Sequence, residues 1–122
     1  MSQLRDDVAP VFDAAFVSDL TGHPDDSELA RVFVGRFRSM LPGRLQRINV
    51  ALGDQDLADA LDAVLSLKGA AGTVGAGELF VLGGRVEGHL KQRDFSGAAQ
   101  VAEDLPAAGE RAHHALTVYL GG

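Results

Sequence analysis

The sequence predicts an all-α protein, an antiparallel four-helix bundle with a short additional helix at the N-terminus. Apolar residues recur at three- and four-residue spacing along most of the 122 residues, and no segment alternates as a strand would. Alanine, leucine and valine dominate over aromatic residues, which favours helices packed on helices. Short connections imply antiparallel neighbours, and a chain of this length is expected to form one domain over residues 1–122.

The first two predicted helices occupy the N-terminal half. The first has one apolar stripe and ends at Gly22; the stripe is Val8, Phe12, Phe16 and Leu20. The second begins near Glu28, where Asp26 or Ser27 can cap it. Pro42 interrupts it, leaving either one kinked helix or two collinear pieces. Its predicted inner stripe is Leu29, Val32, Phe33, Phe37, Met40, Leu45, Ile48 and Leu52.

The C-terminal half contains the remaining helices. The third runs from about Gln55 to Val74 with Asp54 as its natural cap, and the fourth begins at Glu78. Asp94 and Ser96 indicate a stop and a new cap, and the last helix is interrupted or kinked near Pro106. The predicted buried stripe of the third helix is Leu57, Ala60, Val64, Leu67, Ala71 and Val74. That of the fourth helix is Leu79, Leu82, Val86 and Leu90. That of the last helix is Val101, Leu105, Ala112, Leu116 and Tyr119.

The composition excludes several classes of function. A net charge of −6 makes nucleic acid a poor partner. No stretch approaches the roughly 20 apolar residues of a membrane span, and the N-terminus lacks the apolar run of a signal peptide. The absence of cysteine excludes disulfides and thiolate chemistry. We therefore expect a cytoplasmic monomer that binds neither membrane nor nucleic acid.

Charge is unevenly distributed along the chain. Residues 29–53 contain five arginines and no acid, whereas residues 63–77 contain one charged residue, Lys68. The arginine-rich segment is interpreted either as a solvated helix face or as a surface that attracts an acidic partner.

The stretch LSLKGAAGTVGA, residues 65–76, places glycines inside a predicted helix. Each glycine destabilises a helix by roughly 1 kcal/mol relative to alanine at an interior position. At 100° per residue, Leu65, Gly69 and Gly72 fall on the solvent side, with Lys68 at its border. Such a face suits either docking of another surface or close packing of a neighbouring helix. Packing suits Gly75 better, because it lies near the buried side and near the helix end.

The segment SLKGAAGTVGAGEL resembles the signature of the histidine-containing phosphotransfer (HPt) family, and the resemblance covers roughly residues 12–105. The signature is His-x-Leu-Lys-Gly, then small residues, Gly-Ala and a leucine. The matching residues are Leu67, Lys68, Gly69, Ala70, Gly75, Ala76 and Leu79. The resemblance implies a four-helix bundle in which an exposed histidine exchanges a phosphoryl group with the aspartate of a response-regulator receiver domain. It also implies that the lysine assists with phosphate charge and that the following glycine leaves room for the receiver.

This sequence departs from the family at the acceptor position, which is occupied by Leu65. Leucine has no nucleophile, so phosphoryl transfer through this position is excluded. The resemblance therefore implies a non-enzymatic, pseudo-phosphotransfer module that binds a receiver domain, with a sensor histidine kinase as a second candidate partner. The predicted partner-binding residues are Leu65, Lys68, Gly69 and Gly72, with Leu65 as an apolar anchor.

Two alternatives remain open. The protein is an active phosphotransfer protein if Leu65 replaces a parental histidine or if another histidine, such as His89, accepts phosphate. Otherwise it is a helical interaction protein that has left phosphosignalling and uses another surface, such as the arginine-rich helix.

Other chemistry is not expected. Ser66 points about 100° away from Leu65, and its hydroxyl would form a far more stable ester. His113 and His114 are adjacent, not spaced as i and i+4 on one helix face, so we expect no metal site. The glycines of GAAGTVG end a helix instead of opening one, which excludes a phosphate loop. No cofactor is expected.

Overall fold

The computed structural model describes residues 9–14 and 28–121. Residues 28–121 contain five helices, and neither described range contains a strand. The helices are α1 (Glu28–Gly53), α2 (Leu57–Val74), α3 (Gly77–Lys91), α4 (Phe95–Ala102) and α5 (Leu105–Leu120). In the predicted N-terminal helix, residues 9–13 are not helical and Ala14 is, so the helix does not include Phe12 as predicted. Its remaining residues and the two candidate caps Asp26 and Ser27 lie outside the described residues.

The helices form the predicted four-helix bundle. Helix α1 packs against α2 and α5, α2 packs against α3, and α3 packs against α4 and α5. Helices α1, α2 and α3 therefore form three of the four positions in the bundle. The short α4 and α5 together occupy the fourth position. Its largest fully buried side chains include Ile48, Leu67, Leu79, Leu90, Leu105 and Leu116. Within the described ranges, no helix has the length and apolar character needed to cross a membrane.

Helix α1 continues through Pro42 as one helix of 26 residues, so the two-piece alternative is wrong. The stripe predicted for its first half is also wrong at four of five positions. The residues that enter the core there are Ala30, Val34, Phe37 and Leu41, whereas Leu29, Val32, Phe33 and Met40 are exposed. Two apolar stripes run side by side on this helix, one residue apart, and periodicity alone does not say which of them faces inward.

Helix α2 begins two residues later than predicted. The carboxylate of Asp56, not that of Asp54, accepts a hydrogen bond from the Asp59 N–H at 3.1 Å. Gln55 adopts a left-handed φ of 53°, which separates α1 from this cap. At the other end Gly75 has φ 82°, and its N–H donates to the Ala71 carbonyl. Gly75 therefore ends the helix in a conformation that suits glycine.

The last helix is divided near Pro106, as predicted. Asp94 caps α4 by accepting a hydrogen bond from the Gly97 N–H at 2.9 Å. Helix α4 ends at Ala102, and α5 starts at Leu105 with Pro106 in its first turn. A proline there removes an N–H that no helical carbonyl would have accepted.

Candidate functional site

The outward side of α2 presents Leu65 and Gly69 on consecutive turns. Leu65 lies in the middle of the helix, and 47% of its surface is exposed. Gly69 is also exposed, and a Cβ placed on it would meet no atom within 4 Å. A partner can therefore approach the α2 backbone closely at this point. Both residues lie where the sequence predicted.

Gly72 has a different environment from Gly69. It is half-buried, and a Cβ at this position would lie 3.2 and 3.3 Å from two ring carbons of Phe80. The missing side chain thus allows Phe80 of α3 to pack over α2. The sequence interpretation of Gly72 as a solvent-facing glycine is corrected, because the neighbouring helix reaches it.

Lys68 points towards α3. Its Nζ lies 2.7 Å from Oε1 of Glu87 and 5.6 Å from the centre of the Phe80 ring. Lys91 approaches the other carboxylate oxygen of Glu87 at 2.9 Å. Glu87 is only 8% exposed, and the hydrogen bond from Lys68, followed by that from Lys91, lowers the pKa of its carboxyl below the ordinary value. Lys68 therefore joins α2 to α3 through a largely buried carboxylate.

On the opposite side of α2 a shallow groove of about 150 Å³ separates it from α1. Phe33 and Met40 line the groove from α1, and Ala70 and Thr73 line it from α2. Arg44 bridges the two helices by donating from Nη1 to the Ser66 carbonyl at 3.1 Å and to the Ser66 hydroxyl. The Ser66 hydroxyl is thus engaged in holding α1 and α2 together.

We call Phe33, Met40, Leu65 and Phe80 the apolar face. All four side chains are exposed, and they are contributed by three consecutive helices. Sequence reasoning found only Leu65: it assigned Phe33 and Met40 to the core and did not consider Phe80. The position of Phe80 next to the buried Leu79, about 100° around α3, could have indicated its outward direction.

The arginines of α1 hold the bundle together more than they form a free basic surface. Arg31 donates to the Leu120 carbonyl at 2.6 Å, and Arg38 donates to the Thr117 hydroxyl at 3.0 Å. Arg47 pairs with Asp59 and Asp62, each at 2.7 Å. Arg36, in contrast, lines the groove between α1 and α2.

His89, the alternative acceptor, lies in the last turn of α3. Its Nδ1 lies 3.0 Å from Oδ2 of Asp94, the residue that caps α4. The Gly97 N–H, and secondarily His89, lower the pKa of the Asp94 carboxyl. His113 and His114 are exposed on α5. In the part of the chain that the structure describes, no group of three or more His, Asp or Glu residues could hold a metal ion.

Comparison with known proteins identifies the family of this chain. The family model of the Hpt domain matches residues 32–116, most of the chain. The chain belongs to the Hpt domain family. Hpt domains are phosphorelay carriers that interact with response regulators and kinases, and the match to this chain includes all of α2.

A solved Hpt domain shares the fold. The crystal structure of the HPT domain from the Hpt sensor hybrid histidine kinase of Shewanella matches with a TM-score of 0.68 at 21% identity. The match covers 88% of this chain and 95% of that one. Comparison with curated proteins gives no match.

Proposed function

We propose that this Hpt protein binds the receiver domain of a response regulator without accepting a phosphoryl group. The observation that carries the proposal is Leu65, which occupies the acceptor position of the family signature and exposes 47% of its surface in mid-helix. An alkyl side chain supplies no lone pair to attack phosphorus. The position is therefore suited to contact with a partner and not to phosphoryl transfer.

The surroundings of Leu65 support docking. Besides Leu65, the apolar face contains two exposed aromatic rings and a methionine, and such residues are enriched at the centres of protein interfaces. Gly69 leaves the adjacent backbone open. In this proposal a receiver domain covers the face, and a sensor histidine kinase is the second candidate partner.

The alternative of an active protein that uses His89 has less support. The Nδ1 of His89 faces the Asp94 carboxylate, and His89 belongs to α3, not to α2, where the glycines lie. The alternative in which Leu65 replaces a parental histidine is tested by sequencing the native gene, because Leu65→His is expected to accept label whatever the origin of the leucine.

Binding is tested by calorimetric titration against the receiver domains of the same organism. We expect one of them to bind, with a dissociation constant of about tens of micromolar or tighter. Leu65→Arg should weaken that binding by about tenfold or more, because it places a charge at the centre of an apolar contact. Val118→Arg is the matched control, since Val118 is an exposed apolar residue on α5.

Failure of every receiver to bind would remove the proposal. Equal binding by the Leu65→Arg variant and the unmodified protein would show that the apolar face is an evolutionary relic and that another surface is used.

Transfer is tested by incubation with a phosphorylated receiver. The unmodified protein should gain no acid-labile label, whereas Leu65→His should gain one if receiver docking is intact. Label on the unmodified protein would instead establish an active carrier, and loss of that label in His89→Gln would identify His89 as its acceptor.

A further inference from the structure

We infer that Arg36 selects the receiver, because a receiver that covers the apolar face must present a carboxylate to this residue. This inference rests on the proposed function and specifies the chemistry of the partner's surface. Arg36 is exposed on α1, three residues after Phe33 and four before Met40, so the three side chains share one side of the helix. All three line the groove between α1 and α2. A receiver that covers Phe33 and Met40 therefore also covers Arg36.

Arg36 differs from the other arginines of α1 in its contacts. Among residues 9–14 and 28–121, none forms a hydrogen bond or an ion pair with Arg36. The other four arginines all bind a neighbouring helix, α5 or α2: Arg31, Arg38, Arg44 and Arg47. A guanidinium group stays charged and carries five N–H donors. Covering it without an acceptor is unfavourable, and a carboxylate is the group that accepts from its donors in pairs.

Positive charge also predominates around the apolar face, although the whole chain has a net charge of −6. Residues 29–53 and 63–77, which supply three of the four residues of the apolar face, contain no acid. On α3, Glu87 contacts two cations, Lys68 and Lys91, so these three side chains together keep a net positive charge. Such surroundings attract an acidic receiver surface and repel a basic one.

The carboxylate and the apolar contact belong to different parts of this surface. From α2 the groove is lined by Ala70, Thr73 and Val74, and Leu65 is not among its lining residues. A negative charge opposite Arg36 is therefore not placed against Leu65. The apolar face can bind any receiver with a complementary apolar surface, whereas Arg36 favours one that also has an acidic side chain at the facing position. The choice among receivers thus depends on Arg36.

Charge reversal on each side of the interface tests the inference, with the receiver found by calorimetric titration as the probe. Arg36→Glu should weaken its binding by about tenfold or more, because a carboxylate then faces a carboxylate. Exposed Asp and Glu residues of the receiver are next changed singly to Lys. One of these changes should weaken binding to the unmodified protein and strengthen binding to Arg36→Glu by about tenfold or more. Such a rescue shows a direct contact, because a misfolded variant would not recover.

Arg85→Glu is the matched control. Arg85 is an exposed arginine of α3 that lines a different groove, between α3 and α5, and its reversal changes the net charge by the same amount. Circular dichroism confirms that each variant is folded before binding is compared. Arg85→Glu should bind within about twofold of the unmodified protein, since salt screens exposed charges outside the contact. An equal loss in both variants would assign the effect to overall charge and overturn the inference.

Salt dependence gives a second measure, with Arg36→Gln. Raising NaCl from about 50 mM to about 500 mM should weaken binding of the unmodified protein by a larger factor than binding of Arg36→Gln. Equal salt dependence, unchanged affinity in Arg36→Glu, or failure of every receiver substitution to restore binding would overturn the inference and leave the proposed function intact. Absence of binding between the unmodified protein and any receiver would instead overturn the proposed function.

Discussion

At the scale of single residues, the glycines of α2 serve different purposes. Gly69 faces open space, Gly72 lies against the Phe80 ring, and Gly75 ends the helix with a positive φ. Only Gly69 lacks a structural reason for its missing side chain, and it lies one turn from Leu65. This contrast makes Gly69 the sharpest single-residue test of a docking function.

We predict that Gly69→Ala stabilises the protein by up to about 1 kcal/mol, because alanine restricts the unfolded chain and its Cβ meets no atom. The same change should weaken receiver binding, since it adds a methyl group where the partner approaches the backbone. Urea unfolding and calorimetric titration measure the two effects.

Gly88→Ala is the matched control, because Gly88 is exposed on α3 and its Cβ would also meet nothing within 4 Å. It should stabilise the protein similarly and leave binding unchanged. A loss of stability in Gly69→Ala, or unaltered binding, would contradict the docking role of Gly69.

At the scale of elements, α1 shows how tertiary packing selects between two apolar stripes. Phe37 is 4% exposed and belongs to the core, whereas Phe33, one turn earlier, is 37% exposed and belongs to the apolar face. The two phenylalanines are similar in sequence context and differ in what covers them.

We predict that Phe37→Ala lowers the free energy of unfolding by about 3–5 kcal/mol, the usual cost of removing a buried ring. Phe33→Ala should cost much less, because part of that ring already contacts solvent, and it should weaken receiver binding instead. Chemical denaturation of both variants separates the two roles. Equal destabilisation would show that Phe33 belongs to the core after all.

The cap of α2 gives another prediction at this scale. Asp56→Ala should lower the free energy of unfolding by about 1 kcal/mol, because it removes the acceptor of the Asp59 N–H. Asp54→Ala is the control and should have little effect, since Asp56 is the residue that caps the helix. Thermal denaturation compares the stabilities of the two variants. A larger loss of stability in Asp54→Ala than in Asp56→Ala would show that Asp54 caps the helix, as the sequence predicted.

At the scale of the whole molecule, ionised carboxylates link separate elements. Glu87 joins α2 and α3 through Lys68, and Asp94 joins the end of α3 to the start of α4 through His89 and Gly97. The pKa of each carboxyl is lowered in the folded protein by these donors. The ionised form of each carboxyl therefore contributes to the stability of the fold.

We predict that stability falls as the pH drops below about 5. A carboxyl whose pKa is lower in the folded state contributes stability above its unfolded pKa, and this contribution is lost as the pH falls through the folded pKa. Unfolding measured from pH 7 to pH 3 should show the decline, with a shallower slope in a Glu87→Gln, Asp94→Asn double variant. Identical slopes would assign the acid sensitivity to other groups.

Much of this organisation could be predicted from sequence. The stripes of α2 and α3 enter the core as their periodicity indicates, and Asp94 caps α4 because an aspartate before a helix can accept from its free amides. The cap of α2 could not be predicted, since Asp54 and Asp56 offer the same chemistry two residues apart. Their roles depend on the left-handed turn at Gln55.

By itself the sequence determined the all-α bundle, the family signature and the outward position of Leu65 and Gly69, because helical periodicity and local motifs are properties of neighbouring residues. Tertiary structure decided which stripe of α1 faces inward, that Phe80 closes on Gly72, and that Lys68 is held by Glu87. These facts depend on contacts between residues far apart in the chain, and one-dimensional periodicity does not specify which helix lies beside which.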